Sequence, residues 1–267
     1  MLGFSQALSR LLQVQSIFSF GGNFSTLTSG SSSIKPTLSS TQPLAEAAVP
    51  RAFSTQTTMQ NHSEADIDRI LNFWFKPPVA PTHWFGSTPT IDQQIENEFL
   101  PLIKAGRAHQ LDHWMATARG SLALIILLDQ FPRNVFRGLG DAHASDARAC
   151  ELALNSIACE MDRTIGDNLM AMFFYLPLMH DETISSQVAC VALIEALAAR
   201  CDGTPGGARD FVVSSLGFAK SHRDTIVRFG RFPSRNAILG RDSTDEEIEF
   251  LRENPSGWVS STKAESQ

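Results

Sequence analysis

The chain has 267 residues, 43% of them hydrophobic, with 18 Phe against a single Tyr, which is ample material for one large or two small globular cores with a dry, Phe-rich interior. A net charge of −6 excludes a general basic face for nucleic acid, because such binding depends on releasing phosphate counterions. No run of eighteen apolar residues occurs, so no membrane span is expected.

Residues 1–58 differ from the rest. They are crowded with Ser and Thr and hold one acid, Glu46, against Arg10, Lys35 and Arg51. Leu2, Phe4, Ala7, Leu8, Leu11, Leu12 and Phe18 share one helical face beside Arg10, the pattern of an organellar transit peptide in an otherwise disordered leader. Arg51-Ala52-Phe53-Ser54 resembles a mitochondrial processing site, so a mitochondrial location is expected. An internal start at Met59 would give a cytoplasmic form. Without the leader, 19 basic and 27 acidic side chains remain, a net −8.

From there the elements read as helices. Ser63-Glu64-Ala65-Asp66 suggests a capping box for a first helix carrying Ile67, Ile70, Leu71, Trp74 and Phe75, stopped by Pro77-Pro78. Thr88 or Thr90 caps a second, with Ile91, Ile95, Phe99, Leu102 and Ile103 on one side and Gly106 near its end. Residues 120–131 are apolar nearly all round, as in a central helix, which is expected to end at Phe131-Pro132. Asp146 is read as the cap of a helix through about residue 160, and Asp167 as the cap of a run leading to Pro177 and His180. Asp181 or Thr183 caps a helix to about Arg200. A long helix from about 208 to 229 follows, and Ser243-Thr244-Asp245-Glu246 opens a short last one. No alternating strand pattern competes.

The order of elements predicts an all-α array of antiparallel helical hairpins or a compact bundle, about eight helices in a single domain over 59–258 with a disordered tail at 259–267. Cys150, Cys159, Cys190 and Cys201 lack Cys-x-x-Cys spacing and sit in apolar helical runs, which reads as reduced core thiols.

One motif is written twice, as Asp129-Gln130-Phe131-Pro132-Arg133-Asn134 and as Gly230-Arg231-Phe232-Pro233-Ser234-Arg235-Asn236. Proline ends a helix, so each copy is expected to hold an arginine just beyond a helix C-terminus. Together with Leu71-Asn72-Phe73-Trp74-Phe75, His83-Trp84-Phe85, the run Leu122–Leu128, Leu176-Pro177-Leu178-Met179-His180 and His222-Arg223, these motifs resemble the family called domain of unknown function 924 over about residues 66–252. The resemblance implies a tetratricopeptide-like fold and no established activity. The chain departs from the family at Ser234, where a histidine is usual.

Arginine forks suit carboxylate or phosphate, and a histidine titrating near neutrality moves protons. His180, His222 and Glu182 are therefore the candidate catalytic residues, and Asp129, Arg133, Asn134, Arg223, Arg235, Asn236 and Trp84 the candidate ligand-binding ones. Each has a structural alternative. Arg133 and Arg235 can cap helix carbonyls, the two asparagines can hold turns, Asp129 can pair with Arg133, and His222 can be a satisfied core histidine. His109 and His113 have metal-pair spacing but no third ligand nearby, so no metal site is expected, and without a phosphate loop or Rossmann fingerprint no cofactor is expected. Two function classes remain: a binder of, or enzyme for, a small anionic metabolite in an Arg/His-lined pocket, and a helical module that binds a protein partner.

Overall fold

The computed structural model describes residues 52–257, apart from 78, 82, 85, 87, 202, 204–206 and 256 and the side chains of 52–62. The expected leader up to residue 51 and the expected tail lie outside the described residues. Contacts divide the chain after Met59, and the helical domain is the unit from Gln60 onward. Every regular element among the described residues is helical, in keeping with the expected all-α class. No helix among them is long and apolar enough to cross a membrane.

Helix α1 (Ala52–Phe75) buries Ile67, Ile70, Leu71 and Trp74, a 3.6-residue pattern facing the core. It runs through Ser63 rather than beginning there, so the capping-box reading is corrected: the Ser63 hydroxyl instead lies 2.8 Å from His113 Nε2. Helix α2 (Pro89–Arg107) is capped by Thr88, whose hydroxyl accepts the Ile91 N–H. His109, in the left-handed region at φ +62°, then breaks away from α2, so His109 and His113 do not share a helix face.

Helix α3 (Ala118–Ile125) does not stop at Phe131-Pro132. It widens into one π turn, Ile126–Gln130, in which the Phe131 N–H reaches back to the Ile126 carbonyl, and resumes as α4 (Phe131–Val135). The wider turn makes room for the proline ring, which would otherwise collide with a carbonyl one turn back, and Pro132 sits in the first turn of α4, where its missing N–H is not required. Arg133 is thus inside a helix, contrary to the expectation. Residues Leu122–Phe131 are fully or almost fully buried.

Helix α5 (Asp146–Ala158) has Ser145 at the capping position, and Asp146, freed from capping, is its first residue. Short helices α6 (Met161–Thr164), α7 (Asn168–Met172) and α8 (Leu176–His180) come next. Asp167 caps α7 through the Leu169 and Met170 N–H groups. Pro177 opens α8 instead of closing its predecessor, which places His180 on the last turn of a helix rather than in a loop. Helix α9 (Ile184–Arg200), capped by Thr183, and α10 (Ala208–Phe229) form the most extensive helix pair. Helix α10 ends at Gly230 with φ +68°, so the second Phe-Pro does follow a helix end. The box of α11 (Asp245–Glu253) is Thr244 with Glu247, one residue later than read.

The core is stitched by aromatic edges. Phe131 stands against Phe73, Trp74 and Phe99, and Phe173 against Trp74, Phe75 and Trp84. Helix α5 packs on both α8 and the π turn, which brings Asp146, His180 and Asp129 to one place.

Two glycines of this scaffold give opposite expectations. A Cβ on Gly120, in the first turn of α3, would lie 2.2 Å from the Trp114 carbonyl oxygen, whereas one on Gly217 in α10 meets nothing within 4 Å. Gly120→Ala should lower stability in urea unfolding by about 1–3 kcal/mol through overpacking, and Gly217→Ala should raise it by about 0.5–1 kcal/mol through helix propensity.

Candidate functional site

The π turn decides where Asp129 points. Its carboxylate is fully buried, with no exposed surface. Three groups meet it: His180 Nδ1 at 2.7 Å from Oδ1, Arg133 Nη2 at 3.4 Å from Oδ1, and the Gln130 side-chain amide, which donates to Oδ2. Burial alone would raise the Asp129 pKa, but attraction to His180 and Arg133 outweighs it and holds the carboxyl below its ordinary value. An ionised carboxylate only accepts, so His180 must donate its Nδ1–H. In neutral His180 the other nitrogen, Nε2, therefore carries a lone pair. Burial, followed by repulsion from Arg133, pulls the His180 pKa below its ordinary value despite Asp129, which favours that neutral form.

Arg133 ties this dyad to α5. Its guanidinium grips Asp146 in a fork, Nη1 to Oδ1 at 2.9 Å and Nη2 to Oδ2 at 3.1 Å, while Nη1 also donates to the Asp129 and Ala142 carbonyls. The pairing with both acids more than offsets burial, so the Arg133 pKa is raised. Asp146 in turn accepts from His143 Nδ1 at 3.1 Å and is approached by Arg235 Nη1 at 3.4 Å. Burial opposes its ionisation, yet His143 and Arg133 hold its pKa well below the carboxylate range.

Arg235, from the turn Pro233–Arg235 of the second motif copy, lies over the Phe232 ring at 4.5 Å. Burial brings its pKa down to about 10, only partly countered by Asp146. The backbone behind it is held by Glu182, which accepts the Phe232 N–H at 2.8 Å and a fork from Arg241 at 2.7 and 3.0 Å. His222 donates Nδ1–H to the Phe218 carbonyl at 2.8 Å and stands edge-on to Phe232.

The sequence candidates therefore separate. Asp129, Arg133, His180 and Arg235 come together, with His222 beside them across Phe232. Glu182 lies behind Arg235, with both its oxygens engaged by Arg241. Trp84 is a core anchor rather than a pocket wall, buried against Phe75, Phe173 and Phe211 with its indole N–H on the Trp74 carbonyl. Asn134 donates to Asp92, Arg223 pairs with neighbouring Asp224, and Asn236 donates to Ser243 and Glu247, so none of the three joins the cluster. Ser234 is exposed and packs near Gly257. Two members went unread. Asp146 looked like a cap, and His143 carried no signal beyond standing three residues before it.

Burial pulls the His222 pKa down to about 4 against the help of its hydrogen bond. Between the ordinary value and that one, the unfolded chain binds a proton that the fold refuses, so stability rises with pH across this window and is lost on acidification. Asp129 and His180, both lowered, act in the same direction. His222→Leu should remove about 2–3 kcal/mol of the stability lost between pH 7 and pH 4, as about 1.4 kcal/mol per pKa unit requires, and urea titrations of both proteins at the two pH values measure the difference.

The comparisons with known proteins agree with this fold. A solved structure of a protein of unknown function from Agrobacterium tumefaciens is 36% identical, covers 72% of this chain and 99% of its own, and superposes with a TM-score of 0.63. Among curated proteins, none matches. The profile of bacterial proteins of unknown function, domain of unknown function 924, matches residues 70–255, and the chain belongs to that family.

Proposed function

We propose that the Asp129–His180 pair, with Arg133 and Arg235, binds a small anionic metabolite and transfers a proton to or from it. The observation that carries this reading is the buried Asp129 carboxylate on His180 Nδ1, which fixes the tautomer whose Nε2 acts as a base.

Arg235 supports the anionic part of the reading. Its charge is held in a desolvated position with one acid at 3.4 Å, so an incoming carboxylate or phosphate would supply the close partner that Asp146, already forked to Arg133, does not. In the proposed arrangement Arg235 grips the anion, Arg133 and Asp146 lock the frame, and His180 moves the proton.

A second reading, a module that docks a protein partner, draws on one side of α10, where Val213 is 48% and Val227 67% exposed. A thermal-shift screen of the full-length chain against inorganic phosphate, sugar phosphates and small mono- and dicarboxylates distinguishes the two. At about a hundred times its dissociation constant a ligand adds about 2.7 kcal/mol, and this corresponds to a rise of about 5–10 °C for a domain of this size. The ligand-site reading expects one class to shift the wild type, Arg235→Gln to abolish that shift, and His180→Gln to keep it. A flat screen, or a full shift in Arg235→Gln, would instead support the docking module.

A further inference from the structure

A second polar site lies on another part of the domain, built from α6, α7 and the end of α9. Tyr175, almost wholly buried, donates its hydroxyl proton to Asp162 Oδ2 at 2.5 Å, and Arg200 Nη2 donates to the same hydroxyl at 3.1 Å. Asp162 is only 4% exposed, and its other oxygen, Oδ1, has no hydrogen-bond partner among the described residues. A buried, charged oxygen left unmatched is the kind of defect that folded proteins eliminate unless something is meant to meet it. Asp162 and Arg200 also line a cleft of about 350 Å³, together with Arg163, Gly166, Asp167 and Asn168. That volume is within the range of small-molecule sites.

The lining specifies the ligand. Asp167 caps α7 through Oδ1, while Asp162 Oδ1 is the buried acceptor of the lining that has no partner among the described residues. Arg200 is about one-third exposed, lines the cleft and spends one N–H on Tyr175, so a guanidinium with five N–H donors keeps others for an anion. The two opposite charges stand side by side, Asp162 Oδ2 and Arg200 Nη2 being 3.9 Å apart. A ligand complementary to such a pair carries an ammonium next to a carboxylate. We infer that the cleft over Asp162 and Arg200 binds a free α-amino acid, its ammonium on Asp162 Oδ1 and its carboxylate on Arg200. Tyr175 is the positioning residue that fixes the acid from behind. This site shares no residue with the Asp129–His180 cluster, and neither proposal depends on the other.

The test is ligand-observed NMR on the full-length chain with the proteinogenic L-amino acids, followed by titration of any binder alongside its N-acetyl and its carboxamide derivative. The inference expects at least one free amino acid to bind with a dissociation constant of about 1 mM or tighter, and each blocked derivative to bind at least about tenfold more weakly. Asp162→Asn can keep an acceptor for Tyr175 while presenting a donor to the cleft, and it should weaken binding at least about tenfold. Arg200→Gln, a change at a partly exposed position that leaves the Asp162–Tyr175 bond in place, should do the same and decides the matter if Asp162→Asn does not fold. No binding of any free amino acid, equal binding of the blocked forms, or wild-type affinity in Arg200→Gln would each overturn the inference.

Discussion

A carboxylate with no exposed surface must be met by donors and positive charge, and the arrangement that meets Asp129 organises the candidate site. Removing such an acid from water costs several kcal/mol even after relaxation. His180 from α8, Gln130 from the π turn and Arg133 from α4 supply the compensation. A π turn shifts the phase of the residues beyond it, so the helix after Leu122–Leu128 presents its side chains in a different direction from an uninterrupted α register. The local irregularity before Pro132 is the feature that sets the central apolar helix into the frame of the candidate site.

The rest of the network keeps the acids apart and the bases in place. Arg133 stands between Asp129 and Asp146, and its fork to Asp146 fastens α4 to the first turn of α5. The second copy of the motif is brought in from far along the chain by the clamp of Glu182 and Arg241 on Phe232, which sets Arg235 against Asp146 from the other side. The two copies are alike in sequence and unlike in structure: one lies within a continuous helical rod, the other after a glycine-capped end. What they share is an arginine that reaches the same acid, Asp146.

The helical course of the chain was legible because apolar periodicity and capping chemistry are local signals. Thr88, Asp167 and Thr183 cap the helices they were read to cap, and the span Ala208–Phe229 is the one expected. Proline was the source of error. Pro132 was read as a stop, whereas it occupies the first turn of a helix, as Pro177 does, where the ring fits and the missing N–H is harmless. Arg133 and Arg235 stood out because the motif is written twice, and His180 because it closes the run Leu176-Pro177-Leu178-Met179. Asp146 and His143 were not, since an acid at the start of a helix has an adequate local explanation and its pairing with Arg133 and Arg235 exists only in the folded chain. Asp162 and Tyr175 were silent for the same reason. Their bond joins α6 to the residue before α8, and nothing in the linear order of residues marks it.

The measurement that tests the central claim most directly is the ionisation and tautomer of His180, followed by NMR of the full-length chain carrying nitrogen-15 histidine, with His180→Gln to assign the signal. The account predicts a neutral ring at pH 7, protonated on Nδ1 and unprotonated on Nε2, that titrates below the ordinary histidine value, with the Nδ1 tautomer lost in Asp129→Asn. A ring protonated on Nε2 at neutral pH, or one that titrates above the ordinary value, would contradict it.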